Sequence, residues 1–238
     1  MSKKFNQIIF IAAMEEEVNA IENGIPKTLM DHVTFIHSGV GKVNAAVSLA
    51  CLGDCVNPDS LIINIGSAGS LDPNVNVGDI VISKATIQHD VDVCALGFSA
   101  SEIPFNDKSI WVADEEMVKQ TAKICRAYSK THIGITLTGD QFIANPQKRQ
   151  ELHKNHQGLC VDMEGAAIAA TCHKVNLNWL IVRAISDNAD CSSPVDFAPN
   201  AQKLEKLFGD IAADLARTFL NVNESGPQPE SRRLYIVS

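Results

Sequence analysis

Three acidic stretches of this chain adjoin apolar runs, where a solvated carboxylate would not be expected: residues 14–17, 161–165 and 186–190. The first and the third come directly after strand-like runs at residues 8–13 and 179–185. In an open α/β sheet, the carboxyl ends of the strands line the ligand crevice. Carboxylates that separate strands deliver there suit general acid–base catalysis, so these stretches are the first candidates for a functional site.

Each of these acids also has a purely structural explanation. Glu15, Glu16 and Glu17 would be favourable in the first turn of a helix, where carboxylates meet the positive end of the helix dipole, and the same holds for Glu164. Asp187 could cap a helix or complete a turn. The dipole accounts for at least two of the three glutamates. It does not explain why a strand leads directly into three acids, so both interpretations stay open at this point.

The segments that would position these acids alternate between strand-like and helix-like patterns. Strands are predicted at residues 8–13, 33–37, 61–65, 133–138 and 179–185, with a β-rich stretch at 79–93, and helices at residues 15–22, 42–52, 114–128, 146–156, 164–173 and 200–220. Continuous apolar strands between helices are typical of a largely parallel sheet that helices cover on both faces. The predicted fold class is therefore α/β.

The composition fits one globular unit. With 238 residues, 45% of them hydrophobic, the chain is long enough to bury a sizeable core. Residues 1–221 are predicted to form a single domain. Residues 222–238 are predicted to be a flexible tail, because residues 221–230 contain almost no apolar side chain. Residues 232–238 are apolar again, which leaves open whether the end of the chain docks on the domain.

Charge and hydropathy disfavour several classes of partner. A net charge of −8 and a pI near 5.3 argue against a nucleic-acid-binding surface, which needs clustered lysine and arginine. No apolar run approaches the ~20 residues of a membrane span, and the N-terminal region is a poor signal peptide. Seven cysteines, odd in number and without a Cys-x-x-Cys pair, indicate reduced thiols in a cytoplasmic protein.

Two glycine-containing motifs follow predicted strands, and neither matches a catalytic motif fully. Gly39 and Gly41 lack the third glycine of a dinucleotide-binding fingerprint. Ser67 would sit in a nucleophile elbow, but Ile65 occupies the position of its first glycine, which disfavours a serine hydrolase. The backbone around Ser67 is predicted to be either a nest for a ligand oxygen or a plain turn that ends the strand.

Neither a metal site nor a cofactor is predicted. Between His89 and Asp92, alternation along a strand would place only Asp90 and Asp92 on one face. Two carboxylates are a thin basis for a metal site. A solvated or hydrogen-bonded strand end is therefore the preferred interpretation of this segment.

Seven motifs in a fixed order resemble a known enzyme family. They are residues 13–17 (Ala-Met-Glu-Glu-Glu), 38–42 (Ser-Gly-Val-Gly-Lys), 64–69 (Asn-Ile-Gly-Ser-Ala-Gly), 77–81 (Val-Gly-Asp-Ile-Val), 139–143 (Gly-Asp-Gln-Phe-Ile), 162–166 (Asp-Met-Glu-Gly-Ala) and 183–187 (Arg-Ala-Ile-Ser-Asp). From about residue 8 to residue 220, the chain resembles the 5′-methylthioadenosine/S-adenosylhomocysteine nucleosidases of the purine nucleoside phosphorylase superfamily. The resemblance implies a single domain with a twisted, barrel-like mixed central sheet flanked by helices. It also implies a homodimer that acts without a cofactor.

The same resemblance implies a role for each site residue. Glu17 would orient and deprotonate the attacking water, Asp187 would protonate N7 of the adenine, and Glu164 would hold the ribose hydroxyls. Phe142 would stack on the purine, and the backbone of Ile143 would read its Watson–Crick edge. Met163 is expected to pack on the sugar, and the water and ribose side would be lined by Ser67, Ala68 and Gly69. An alkylthio pocket would be formed by Val40, Val93, Leu96 and Phe197, with Pro104 from the partner subunit. The remaining expected substrate-binding residues are Met14, Asp162 and Ser186.

The chemistry of an N-ribosidic bond suits these residue types. The bond breaks through an oxocarbenium-like state, so one acid must protonate the leaving base while another activates water on the opposite face. The resemblance implies hydrolysis of 5′-methylthioadenosine, S-adenosylhomocysteine or 5′-deoxyadenosine, in the context of methionine salvage. Related phosphorylases carry arginine at the position of Asn64, and Glu17 would repel phosphate, so water is the favoured nucleophile. A futalosine hydrolase, a phosphorylase and a catalytically silent nucleoside-binding protein stay as alternatives.

Three features depart from the family pattern. Only 21 positions separate Glu17 from Ser38 (38 − 17), which predicts that a strand pair of the family is missing there. Asp162 stands where glutamate is common, so a contact to water or sugar is predicted to be lost. Leu96 replaces a frequent aromatic residue, which leaves the preferred 5′ substituent open.

Overall fold

The computed structural model describes residues 3–53, 56 and 58–221, together with the backbone of residues 232–234. These residues form nine strands and six α-helices. The strands are β1 (Gln7–Ala12), β2 (Val33–His37), β3 (Ser60–Ser70), β4 (Ile80–Gln88), β5 (Ile110–Val112), β6 (Thr131–Thr138), β7 (Gly158–Asp162), β8 (Asn178–Asp187) and β9 (Arg232–Leu234). The helices are α1 (Glu15–Gly24), α2 (Lys42–Ala50), α3 (Glu115–Cys125), α4 (Pro146–His156), α5 (Gly165–Lys174) and α6 (Ser193–Phe219).

Five strands close into a barrel. Going round it, β4 pairs with β6, β6 with β7, β7 with β3 and β3 with β8, and β8 pairs back with β4. The pairs β3–β7 and β4–β8 are antiparallel, whereas the other three are parallel. From β3 the sheet extends outwards through β1, β2 and β9. The predicted α/β fold with a mixed, barrel-like central sheet flanked by helices is confirmed.

Helix α1 is fixed in place by an unusually close contact with α6. A Cβ added at Gly24 would lie 2.3 Å from the carbonyl oxygen of Gly209, and one added at Gly209 would lie 2.6 Å from that of Ala20. The two backbones therefore touch directly, which only glycine allows. Because α1 follows β1 after a two-residue connection, this contact also determines where its first turn, Glu15 to Glu17, meets the sheet.

Three predicted boundaries are wrong by five residues or more. The β-rich stretch predicted to run to residue 93 ends at Gln88, and residues 89 and 90 form a turn. Strand β3 does not end at Ile65 but continues to Ser70, because its residues 66–69 pair with β8 and with β7. The predicted turn or nest around Ser67 is therefore extended strand. Helix α6 begins at Ser193 rather than at residue 200, with Pro194 in its first turn, where proline costs no hydrogen bond, and Pro199 inside it.

The shortened connection after α1 and the end of the chain both lie near β2. A 3-10 helix, Lys27–His32, joins α1 to β2 in the place where a strand pair was predicted to be missing. The backbone of β9 pairs in parallel with β2 from Thr34 to Ile36, so this part of the chain end docks on the sheet. The rest of the predicted tail, residues 222–231 and 235–238, lies outside the described residues. None of the described helices combines the length and apolar character that a membrane span requires.

Candidate active site

The three predicted catalytic carboxylates gather round one cavity. Glu17 lies in the first turn of α1, Glu164 precedes α5, and Asp187 ends β8. All three line a cavity of about 640 Å³, open mouth included, which is within the usual size of a small-molecule site. All other predicted site residues line it too, except Val93, Leu96 and Pro104.

Glu17 is buried and accepts three hydrogen bonds. Its Oε1 accepts from the backbone N–H of Ser67 (3.0 Å) and from the Ser67 hydroxyl (3.2 Å), and its Oε2 accepts from the N–H of Met14 (3.3 Å). Burial raises the pKa of Glu17, and the Ser67 amide and Arg183 offset part of this effect. A carboxylate with a raised pKa in a sheltered cavity is a suitable general base.

Glu164 contacts the loop that follows β2. Its Oε1 accepts a hydrogen bond from the N–H of Gly41 (3.0 Å). Burial raises the pKa of Glu164 to about 7, with a further contribution from the neighbouring charge of Asp162. The free site is therefore poised to hold a proton on Glu164 near neutral pH, and a ligand that offers hydroxyl donors would favour its ionised form.

Asp187 is oriented by groups that belong to its own strand end. Its Oδ2 accepts from the Ser186 hydroxyl (2.9 Å), and its Oδ1 accepts from the N–H of Ala189 (2.8 Å). The carboxyl group is buried and shares neither partner with Glu17 or Glu164. The cavity thus presents three carboxyl groups with separate hydrogen-bond partners.

Arg183 lies in the cavity wall, although the sequence predicts no role for it. Its guanidinium is buried, donates from Nε to Asp162 Oδ2 (2.7 Å) and also donates to the side-chain oxygen of Asn64. Its Nη2 lies 3.9 Å from Glu164 Oε2. A lone arginine inside the apolar strand 179–185 was the signal that could have identified it, since a buried charge requires partners. The cavity wall also includes Ala13, Gly66, Gln141 and Val161, which were not predicted.

Asp162 is mainly a partner of the protein itself. In addition to Arg183, it accepts hydrogen bonds from the Thr138 hydroxyl (2.5 Å) and from the N–H of Gly165 (3.2 Å). The buried Arg183–Asp162 pair holds β8 against β7, and Asn64, which donates to the carbonyl of Ile11 (2.8 Å), ties the same guanidinium to β3. The predicted substrate contact of Asp162 stays a prediction.

Two phenylalanines form the open side of the cavity. The rings of Phe142 and Phe197 meet edge to face, with centroids 5.8 Å apart and planes at 82°. Phe142 remains 49% exposed, as does Val40, so an apolar surface faces an incoming ligand. Leu96 is 74% exposed and, like Val93 and Pro104, lies outside the wall of the single chain, so their predicted contacts stay predictions.

The segment after β4 has the hydrogen-bonded strand end that was preferred over a metal site. Asp90 accepts hydrogen bonds from the Lys42 ammonium (2.6 Å) and from the N–H of Asp140 (2.9 Å). Within the described part of the chain, no group of three or more His, Cys, Asp or Glu side chains is arranged to hold a metal ion.

Comparisons with known proteins agree with this geometry. The family model of the phosphorylase superfamily matches residues 7–220. A 5′-methylthioadenosine/S-adenosylhomocysteine nucleosidase of Anoxybacillus flavithermus is 37% identical over 215 residues, covering 82% of this chain and 91% of the relative. The chain therefore belongs to the phosphorylase superfamily and, within it, to the family of 5′-methylthioadenosine/S-adenosylhomocysteine nucleosidases. The predicted resemblance is confirmed.

Solved structures of this family superpose over most of the chain. The Streptococcus pneumoniae MTA/SAH nucleosidase in complex with 8-aminoadenine has a TM-score of 0.79 at 31% identity, covering 90% of this chain and 100% of the other. The Neisseria meningitidis 5′-methylthioadenosine/S-adenosylhomocysteine nucleosidase in complex with methylthio-immucillin-A has a TM-score of 0.81 at 27% identity, with the same coverage.

The raised pKa of Glu164 predicts a pH-dependent stability. The folded protein keeps a proton on Glu164 up to about pH 7, whereas the group releases it near 4.5 when unperturbed. The free energy of unfolding contributed by this group is complete below 4.5 and is lost as pH rises towards 7, by on the order of 1–3 kcal/mol. Glu164→Gln should lose this pH dependence of the free energy of unfolding. Urea unfolding between about pH 5 and about pH 7.5 measures the slope of that free energy against pH.

The control is Glu116→Gln, which replaces an exposed glutamate in the first turn of α3 and should keep the wild-type slope. Equal slopes for wild type and Glu164→Gln would contradict the assignment.

Proposed function

We propose that this protein hydrolyses the N-ribosidic bond of adenine nucleosides and releases adenine. The proposed substrates are 5′-methylthioadenosine, S-adenosylhomocysteine and 5′-deoxyadenosine. The observation that carries the proposal is the meeting of Glu17, Glu164 and Asp187, remote in the sequence, in one nucleoside-sized cavity. The proposal is supported by relatives bound to 8-aminoadenine and to methylthio-immucillin-A, because the first ligand is an adenine and the second a nucleoside analogue.

In the proposed mechanism, the carboxylates have different tasks. Asp187, oriented by Ser186 and Ala189, delivers a proton to the leaving base. Glu17 binds and deprotonates the attacking water, for which its raised pKa is suited. Glu164 accepts hydrogen bonds from the ribose hydroxyls as an anion, and its charge favours the cationic sugar of the transition state in a sheltered cavity.

The charge around Arg183 supports water rather than phosphate as the nucleophile. The guanidinium is the one cation in the wall of the cavity formed by the described residues, and it is engaged by Asp162 and Asn64. With Glu17 and Glu164 also close to it, little positive charge is left for a phosphate dianion. A neutral water molecule meets no such repulsion.

We also propose that the protein works as a homodimer. Val43 and Val47 are 72% and 49% exposed and lie one turn apart on α2, next to the half-exposed Val40 of the cavity wall. This apolar stripe therefore runs from the cavity mouth along the helix. A partner docked on it would also explain why Val93, Leu96 and Pro104 leave the cavity of one chain open. A cytoplasmic location and a role in methionine salvage fit these substrates and stay proposals.

A product assay tests the reaction. Incubated with a panel of adenine nucleosides, the protein should release adenine and free ribose sugar at the same rate with and without phosphate. Ribose 1-phosphate formed only when phosphate is present would identify a phosphorylase, and selective turnover of futalosine would identify that hydrolase. Absence of turnover for every nucleoside that binds would indicate a silent binding protein.

A substitution at Asp187 tests the proton donor. In Asp187→Asn, adenine becomes a poor leaving group, so kcat should fall by about 100- to 10,000-fold while binding of the nucleoside persists. Steady-state kinetics and calorimetric titration measure the two effects separately. Asp190→Asn, three residues further on, partly buried and outside the cavity wall, is the matched control and should retain kcat. Undiminished turnover by Asp187→Asn would refute the assignment.

The dimer has its own test. The double variant Val43→Asp/Val47→Asp should be monomeric in sedimentation experiments and should lose activity, because charged side chains are costly in an apolar interface. Val112→Asp, an equally exposed valine on β5, should leave assembly and activity unchanged. Full activity of a wild-type protein that sediments as a monomer would contradict the proposal.

A further inference from the structure

One lysine just outside the cavity connects three loops at the ends of β2, β4 and β6. The ammonium of Lys42 lies 2.6 Å from Asp90 Oδ1, 3.2 Å from Gln88 Oε1 and 3.9 Å from Asp140 Oδ2. The side chains of Lys42 and Asp90 are only 17% and 13% exposed. We refer to Lys42, Asp90 and Asp140 as the lysine clamp. None of the three lines the cavity.

Backbone hydrogen bonds complete the clamp. The N–H of Asp140 donates to Asp90 Oδ2 (2.9 Å), and the N–H of Lys42 donates to Asp140 Oδ1 (2.8 Å). Each carboxylate is thus held both by the ammonium and by a peptide group of another loop. Gly41, with a φ of +98°, leaves room for this: a Cβ there would lie 3.1 Å from Asp140 Oδ1.

Both neighbours of the clamp reach the cavity. Directly before Lys42, the N–H of Gly41 donates to Glu164, the proposed ribose-binding carboxylate. Directly after Asp140, residues 141–143 form the wall that carries Phe142, the proposed base-binding side chain. The clamp therefore joins the sugar side of the cavity to its base side without touching the ligand.

We propose that Lys42 and Asp90 are positioning residues that set the separation between these two subsites. This inference rests on the proposed function, since it uses its assignment of sugar and base sides. Removing the ammonium would leave two carboxylates, Asp90 and Asp140, close together with only peptide N–H groups to offset their charge. Like charges in a partly buried site repel, so the loops after β2, β4 and β6 would move apart.

The clamp has a signature that a general loss of structure would not produce. A nucleoside must contact both subsites at once, so its binding depends on their separation. Free adenine contacts only the base side. Loosening the clamp should therefore weaken the binding of a nucleoside but not the binding of the base alone.

The test measures both ligands on Lys42→Met by calorimetric titration, with adenine and with methylthio-immucillin-A as the nucleoside analogue. We expect the analogue to bind about 10- to 100-fold more weakly, the effect of one or two charge-assisted hydrogen bonds, while the affinity for adenine changes less than about threefold. The KM for hydrolysis should rise more than kcat falls. Lys42→Arg should recover part of the loss, and Asp90→Asn should likewise weaken analogue binding while the affinity for adenine changes less than about threefold.

The matched control is Lys119→Met, which removes a lysine that bridges Glu115 and Glu116 on an exposed face of α3 and should leave both affinities unchanged. Analogue binding by Lys42→Met within about twofold of wild type overturns the inference, and so does an equal loss for adenine and analogue. A wild-type protein that binds both ligands but releases no adenine refutes the proposed hydrolysis. In that case, the affinities of Lys42→Met for adenine and for the analogue still test the proposed role of the lysine clamp.

Discussion

The buried guanidinium of Arg183 is the interaction on which the rest of the site depends. It stands on β8 and holds Asp162 of β7 and Asn64 of β3, with Glu164 within 4 Å, so it joins three strands of the barrel at the floor of the cavity. A charge this deeply buried is tolerated only when its partners are in place, because an unpaired one costs several kcal/mol. The contacts that hold these strands together therefore also fix this part of the cavity wall.

The acids of the cavity differ in how they interact with Arg183. Asp162 is bound to it directly, whereas Glu17 and Glu164 feel its charge from further away and have raised pKa values because they are buried. Asp187 takes its hydrogen bonds from Ser186 and Ala189 instead. Carboxylates in different surroundings can perform different steps of one reaction, so several acids in one cavity can have separate roles.

Local patterns in the sequence predicted which acids face the cavity, but not the strand pairs that close the barrel around it. Acids that directly follow strands, such as Glu17 and Asp187, are visible because strand ends meet at one edge of a sheet. Closure through the β4–β8 pair depends on contacts between distant segments, which local patterns do not record. Around Ser67 the glycines favoured a turn, but pairing with β8 and β7 extended the strand. Leu96 lies exposed in the 3-10 helix Cys94–Leu96, away from the cavity wall, so its predicted contact stays a prediction.

Asn64 limits which residues can stand beside Arg183. It receives a hydrogen bond from Arg183 and gives one to the carbonyl of Ile11, so both the oxygen and the nitrogen of its amide are engaged. An arginine in its place would set a second guanidinium against the first inside the barrel, where the two would repel. A cation that could hold an anionic nucleophile therefore cannot be added at position 64 alone, because the buried charge of Arg183 already stands in that part of the wall.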